Sequence, residues 1–358
     1  MPLIIEGARI PLRWAERKSC RLAGSGESYG PGAECVRIAF LNNMPDAALE
    51  DTEIQFFELL EAASANILVR VQLCSLPGVP RAERGRQHLE SFYASSASLW
   101  DSRFDSLIMT GTEPRQPNLR DEPYWQSLSE VLDWAEENTV STILSCLAAH
   151  AGVLHSDGIA RHRLGDKQFG VFEYKRVGDH DLTSGTSALV QFPHSRWNEV
   201  QEDALTSCGY TVLTKSEKAG VDSFVKKKRK SLFVHFQGHP EYLGGTLLKE
   251  YKRDIKRFLR GERETYPSMP EGYFDVAAIS ALTNFSQNAV HPRDENLMAD
   301  FPEQLVSDGL KNTWRSSATS LYRNWLQYVL SRKVESSMFS PLVRSEHRGQ
   351  VAVSNEVT

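Results

Sequence analysis

One cysteine, one histidine and one glutamate stand where nucleophilic catalysis would need them. Cys146 lies in "STILSCLAAHAGVL", residues 141–154, where a short β-like run gives way to a helix-like one. On local sequence alone a small buried packing residue is the simpler reading. A thiol on a strand-to-helix turn, however, meets the positive end of the helix dipole, which favours a thiolate. The backbone N–H of Leu147 would then face any oxyanion formed beside the sulfur. A thiol nucleophile needs a base, and "VHFQGHPEY" provides one: an apolar strand ending at Gly238, then His239 and, two residues on, Glu241. Residues two apart in extended backbone point the same way, so His239 reads as the base and Glu241 as the carboxylate that fixes its tautomer. The two segments together, each at the end of a strand, are far more specific than either alone.

The elements that must position these groups follow from the hydropathy pattern. "VRIAFLNNMP" predicts a buried strand and turn, "DTEIQFFELLEAAS" a helix with acidic residues at its start, and "ILVRVQLCSL" a second strand. "FDSLIMTGTEP" predicts a third strand ending at a glycine turn, and "YWQSLSEVLDWAEEN" another helix. Then comes the strand, sharp turn and helix around Cys146. This alternation predicts an α/β fold with a doubly wound, mostly parallel sheet, whose reactive groups collect at the carboxyl ends of the strands. "SALVQFPHSRWNEV" and the run from Tyr210 to Tyr242 predict antiparallel strands at the sheet edge, with Lys226–Lys230 as a solvated hairpin tip. "GTLLKEYKRDIKRFLRGE" and "NTWRSSATSLYRNWLQYVLSR" predict two later helices. Residues 1–35 read as a partly flexible N-terminal extension with a Gly/Ser-rich loop at 20–35, residues 36–332 as the catalytic domain, and residues 333–358 as a disordered polar tail.

The totals agree with small-molecule chemistry. With 358 residues, 41% hydrophobic content and a net charge of -5, the chain can bury a large core and has no basic field for nucleic acid or membrane. Five scattered cysteines without a C-x-x-C pair suggest neither disulfides nor zinc. The N-terminal segment lacks the long apolar core of a signal peptide, which predicts a soluble cytoplasmic protein.

Several ordered segments, "LNNMP", "DTEIQFFELL", "FDSLIMTG", "GDKQFGVFEY", "PHSRW", "GHPEY", "LLKEYKRDI" and "WRSSATSLYRNWLQY", resemble the homoserine O-acyltransferases of methionine biosynthesis. These are members of the class I glutamine amidotransferase-like superfamily, and the resemblance spans roughly residues 36–332. It implies a flavodoxin-like fold, acyl-CoA as co-substrate, no metal, no tightly bound cofactor, no nucleic-acid or membrane partner, and a homodimer. By position, Cys146 matches the acyl-carrying nucleophile, His239 the general base and Glu241 its support. Gly111 or Thr112, in the turn after "SLIMT", would add an oxyanion donor to that of Leu147. Lys167 and Ser195 match positions that help bind the acyl donor or acyl-enzyme. Glu250 and Arg253 match those that hold the amino and carboxylate ends of homoserine. Three apart on a helix, these two share a face, and an arginine clamps a carboxylate while a glutamate pairs an ammonium, although a surface ion pair has the same spacing. Counting from "TG" to "YW" puts Arg115 at the position that helps choose the acyl group, where its guanidinium could pair with a succinyl carboxylate.

The resemblance implies homoserine O-succinyl transfer by a ping-pong route. Acetyl transfer, or acylation of a related hydroxy amino acid, is an alternative, because the loop "TGTEPRQPNL" and the residues beside Cys146 depart from the family pattern. Glutamine hydrolysis is a second, weakened by the absence of a G-x-C-x-G elbow. A non-catalytic binding role is a third. His150, four residues beyond Cys146, reads as a core or helix-surface histidine.

Overall fold

The computed structural model describes residues 3–7, 9–17, 34–289 and 293–338. Its strands are β1 (Leu3–Glu6), β2 (Cys35–Leu41), β3 (Leu68–Cys74), β4 (Ser106–Met109), β5 (Ser141–Ser145), β6 (His162–Arg176), β7 (Leu189–Glu199), β8 (Thr211–Ser216), β9 (Gly220–Lys228) and β10 (Ser231–Phe236). Its helices are α1 (Leu12–Arg17), α2 (Asp46–Ser64), α3 (Glu83–Phe92), α4 (Ser98–Asp101), α5 (Trp125–Asn138), α6 (Leu147–Asp157), α7 (Glu202–Ser207), α8 (Thr246–Leu259), α9 (Val276–Ala289), α10 (Glu303–Asp308) and α11 (Arg315–Met338).

Continuous apolar runs in β2, β4 and β10 make sense because each strand is buried on both faces. Along β2, Val36, Ile38 and Phe40 enter one core while Ala39 and Leu41 enter another. The first core is closed by α2, α8 and α11, through side chains such as Phe56, Phe57, Tyr251 and Trp325. The second is closed by α5 and α6, through Leu128, Leu132 and Ala148. The small residues of α6 have a packing reason: a Cβ on Gly152 would lie 2.4 Å from Leu144 Cδ1, so only a small residue lets the helix settle on β5.

The sheet runs β1-β3-β2-β4-β5-β10-β9-β8-β6-β7. From β1 to β10 neighbours pair in parallel, and from β10 to β7 they pair antiparallel. The segment β3-β2-β4-β5-β10 is the 2-1-3-4-5 order of a flavodoxin-like sheet, with a switch point between β2 and β4 that opens a crevice at the carboxyl ends. The doubly wound sheet with antiparallel edge strands is therefore as expected.

Regular structure begins earlier than the hydropathy suggests. β1 pairs with β3 from Leu3↔Val69 to Glu6↔Gln72, adding an edge strand upstream of residue 36. Four residues are too short for a periodicity to register, and the strand forms because β3 offers it an open edge. The Gly/Ser-rich loop, for residues 18–33, lies outside the described residues. At the other end α11 continues to Met338, beyond the expected boundary at 332. The remainder of the expected tail, residues 339–358, is likewise outside the described residues.

The basic run does turn a hairpin, with Arg229 at φ 45 between β9 and β10. Its charges are paired rather than merely solvated: Lys226 meets Asp157, Lys228 meets Glu136, and Arg229 meets Glu136 and Glu137. No described helix is long and apolar enough to cross a membrane.

Candidate active site

Loops at the carboxyl ends of β2, β4, β5 and β10 enclose a cavity of about 1070 Å³ that holds Cys146, His239 and Glu241 together. Cys146 caps α6 with φ 53 and ψ −113, a left-handed conformation that a non-glycine residue adopts at a cost of about 1–3 kcal/mol. Strain of this kind survives where the surroundings enforce it: Cys146 N–H donates to the Phe236 carbonyl at 2.7 Å, which pins the elbow to β10. The turn leaves the thiol half-buried at the cavity wall and sets the first N–H groups of α6, which have no intrahelical acceptor, beside it. Gly111 packs directly against this helix start. A Cβ there would lie 2.6 Å from Leu147 Cβ and 2.9 Å from Leu147 N. The Gly111–Thr112 turn thus lies directly beside the Leu147 amide at the start of α6.

His239 Nδ1 is 2.8 Å from Glu241 Oε1, which assigns the ring proton to Nδ1 and turns Nε2 toward the thiol. The pair is made from a turn, because β10 ends at Phe236 and residues 239–241 are not extended. The proline between them bends the backbone so that the glutamate folds back on the ring. The imidazole stacks on Tyr242 at 4.2 Å between centroids, and its backbone N–H donates to Pro193 O at 2.9 Å. Burial by itself would depress the His239 pKa. The negative charges of Cys146 and Glu241 outweigh it and hold the imidazole well above its ordinary value, which suits a ring that must accept a proton beside the sulfur. Glu241 Oε2 is buried with no hydrogen-bond partner among the described residues, so His239 Nδ1 on Oε1 is the close partner of this carboxylate.

A buried polar network, not legible in the sequence, supports the turn from behind. Asp222 Oδ1 accepts the Gly238 N–H at 2.9 Å and lies 3.3 Å from His194 Nε2. Arg196 Nε donates to His194 Nδ1 at 3.2 Å, so His194 is neutral with its proton on Nε2, and burial pushes its pKa down to about 4. Gly238 is required here, since a Cβ would come within 2.6 Å of His194 Nε2 and 2.7 Å of Asp222 Oδ1. His150 is a core histidine, 2.9 Å from Gln237 Oε1, whose burial lowers its pKa to about 3.

The remaining expected residues divide between two places. Glu250 and Arg253 do share a face of α8, 3.7 Å apart, but inside a larger network. Glu250 Oε2 accepts from Ser195 Oγ at 2.5 Å and Oε1 accepts from Tyr242 O–H at 2.6 Å. Burial and Glu250 raise the Tyr242 pKa far above the ordinary range, so this hydroxyl stays a donor. Asp254, which the sequence reading passed over, bonds Lys167 Nζ at 3.2 Å and Arg253 at 3.0 Å. Burial would raise its carboxyl, but the two cations outweigh that and hold its pKa below the usual value. Lys167 and Ser195, matched to acyl-donor positions, therefore join the α8 carboxylates, with Lys167 Nζ also 3.9 Å above the Phe169 ring. The i,i+3 spacing could reveal only the helix pair, because β6 and β7 reach this wall through long-range pairing.

Arg115 lies elsewhere, on the exposed rim formed by the loop after β4. Its backbone N–H and that of Gln116 donate to Glu122 Oε1 at 2.5 and 2.6 Å, so this residue is held by its main chain while its side chain is exposed at the cavity rim.

A family model described as "HTS: Homoserine O-succinyltransferase" matches residues 16–336. A homoserine O-succinyltransferase from Rhodopseudomonas palustris is 47% identical over 294 residues, covering 82% of this chain and 88% of that one. Another, from Methylorubrum extorquens, is 45% identical over 297 residues, covering 83% and 88%. Among solved structures, a glutamine amidotransferase from Thermotoga maritima aligns over 82% of this chain and 98% of its own at 13% identity, with a TM-score of 0.43.

Proposed function

This chain belongs to the homoserine O-succinyltransferase family, and from that premise we propose that it transfers a succinyl group from succinyl-CoA to the hydroxyl of homoserine through a thioester on Cys146. The observation that carries the reading is the left-handed elbow at Cys146 facing a His239–Glu241 pair 2.8 Å apart, within one cavity.

In the first half-reaction His239 Nε2 takes the Cys146 proton and Sγ attacks the thioester carbonyl carbon. The oxyanion leans on the Leu147 amide and on an amide of the Gly111–Thr112 turn. The C–S bond to CoA breaks, and the CoA sulfur leaves with the proton from His239. One thioester replaces another, so the step is nearly balanced in energy. In the second half-reaction His239 Nε2 accepts the hydroxyl proton of homoserine as its oxygen attacks the acyl carbon. The C–Sγ bond then breaks and the proton returns to Cys146. Glu241 holds the imidazole tautomer in both steps.

The α8 wall suits the amino-acid end of the acceptor. Arg253 keeps half of its side chain exposed, with one edge on Asp254 and the other open to a carboxylate. Glu250, fixed by Ser195 and Tyr242, offers its charge to the ammonium, and Lys167 offsets the two neighbouring carboxylates when the site is empty.

Intact-protein mass spectrometry tests this scheme directly. Succinyl-CoA should add one succinyl group to the wild-type chain and none to Cys146→Ala, and homoserine should discharge it. An adduct from acetyl-CoA but not succinyl-CoA would assign the other acyl group. Ammonia release from glutamine with no acyl adduct would reject acyl transfer altogether.

A further inference from the structure

The cations that line the cavity differ in how their charges are met. Lys167 and Arg253 lie within 4.0 Å of carboxylates of Glu250 and Asp254. Arg196 is buried and gives its donors to His194, Asn198 O and Ala219 O. Arg163 lies over the Trp197 ring at 4.5 Å. Arg161, like Arg163 and Arg263 on the same lining, has no ion-pair partner among the described residues. It is half-buried, and among the described residues no carboxylate lies within 4.0 Å of it. Its hydrogen bond goes to a neutral carbonyl, Pro117 O, at a long 3.5 Å.

Two further facts place this charge in relation to the chemistry. Pro117 belongs to the loop after β4, so Arg161 stands beneath the segment that also carries the Gly111–Thr112 turn. Its charge also interacts with Cys146 across the cavity. The buried Glu122 acts on Arg161 through its charge without touching it: Oε1 is taken by the amides of Arg115 and Gln116, while Oε2 has no hydrogen-bond partner among the described residues. A partly desolvated guanidinium without a carboxylate partner is costly to keep, and a bound anion would complete it.

Resting on the acyl-Cys146 reading above, we propose that Arg161 recognises the terminal carboxylate of the acyl chain, and so selects a dicarboxylic acyl group. A succinyl chain has three carbon–carbon bonds of about 1.5 Å between its thioester carbon and its terminal carboxyl carbon, enough to carry the carboxylate away from the elbow toward a wall residue. An acetyl group ends next to the sulfur and cannot reach. The carboxylate would accept two parallel N–H bonds from the guanidinium edge not used by Pro117. Arg115, exposed on the rim and held by its main chain, then sets the shape of the loop above. The amino-acid wall, built from α8 and β7, stays separate from this acyl pocket.

The test compares succinyl-CoA with butyryl-CoA, which has the same carbon count and a methyl in place of the carboxylate. The kcat/KM for CoA release in the acylation half-reaction is measured for wild type, Arg161→Met, Arg161→Lys and Arg115→Met. The ratio between the two donors cancels any loss of folded enzyme. Arg161→Met should lower the succinyl-to-butyryl ratio by roughly 10- to 100-fold, as losing a charged hydrogen-bonding partner does, with Arg161→Lys in between. An unchanged ratio, with both donors falling together, would mean that Arg161 only balances Glu122 and would overturn the proposal. So would a collapse of the ratio in Arg115→Met but not in Arg161→Met. If wild type shows no succinyl adduct on Cys146, the underlying scheme fails first and this assignment with it.

Discussion

Replacing Gly111 by alanine should strike the oxyanion hole with little other disturbance. The added Cβ would sit 2.6 Å from Leu147 Cβ and 2.9 Å from Leu147 N, where carbon contacts normally settle near 3.5–4.0 Å. About 1 Å must be found between the β4 loop and the start of α6. The helix cannot easily supply it, because Gly152 already lies close against Leu144. The loop therefore moves, and its amide is displaced from the Leu147 amide. Overpacking of this kind costs about 1–3 kcal/mol of stability. The kinetic effect is larger: a displacement near 1 Å, or loss of one oxyanion donor, lowers the rate by about 10²-fold or more. KM for succinyl-CoA should change little, because the donors act on charge that develops only in the transition state. Stopped-flow detection of CoA thiol release in a single turnover, without homoserine, isolates the affected step, and a thermal melt reports the stability cost. A burst rate within about threefold of wild type would refute the assignment of this gap as the oxyanion hole.

Two other expectations follow from buried groups. Asp222→Ala leaves the Gly238 N–H without its acceptor and His194 with only Tyr174 on Nε2, so kcat should fall roughly 10- to 100-fold with KM nearly constant, as His239 loses its position; an unchanged kcat with only a lower melting temperature would make Asp222 purely structural. His150, His194 and His235 are buried with pKa values lowered by burial to about 3, 4 and 3. Below about pH 6.5 the unfolded chain binds protons that these folded sites refuse, so stability should fall with pH between about 6.5 and 4, by up to about 1.4 kcal/mol per unit per histidine. His239, whose folded pKa is raised, is protonated in both states over that range and adds no slope. Denaturant melts at pH 7 and 5 measure this, and His235→Phe, whose ring would keep the stack on Phe224, should reduce the slope. A flat profile would show that these histidines are protonated in the fold.

Much of the architecture was legible because it is local. The strands around Val36–Leu41, Leu68–Cys74 and Ser106–Met109 announce themselves as apolar runs between helices of clear periodicity, and that alternation dictates a parallel sheet. The strand β6, carrying "GDKQFGVFEY", has no clean alternation, since its register on β7 shifts between Arg163 and Gln168 and Phe169–Phe172 are buried on both faces. β1 was missed because its stability comes from the β3 edge and not from its own four residues.

The same division holds in the cavity. The residue types at Cys146, His239 and Glu241 already specified a nucleophile, a base and a carboxylate, because that chemistry depends on functional groups and on their place at strand ends. Glu250 and Arg253 were paired by helical spacing alone. What required tertiary structure was everything whose partners are distant in sequence. Asp222 finds Gly238 across β9 and β10, Asp254 finds Lys167 on β6, and Arg161 meets the loop after β4. A sequence fixes which groups can donate, accept or carry charge. Which charges are neutralised and which are left facing the cavity depends on desolvation and on distances of 3 to 4 Å, and only the folded chain sets those.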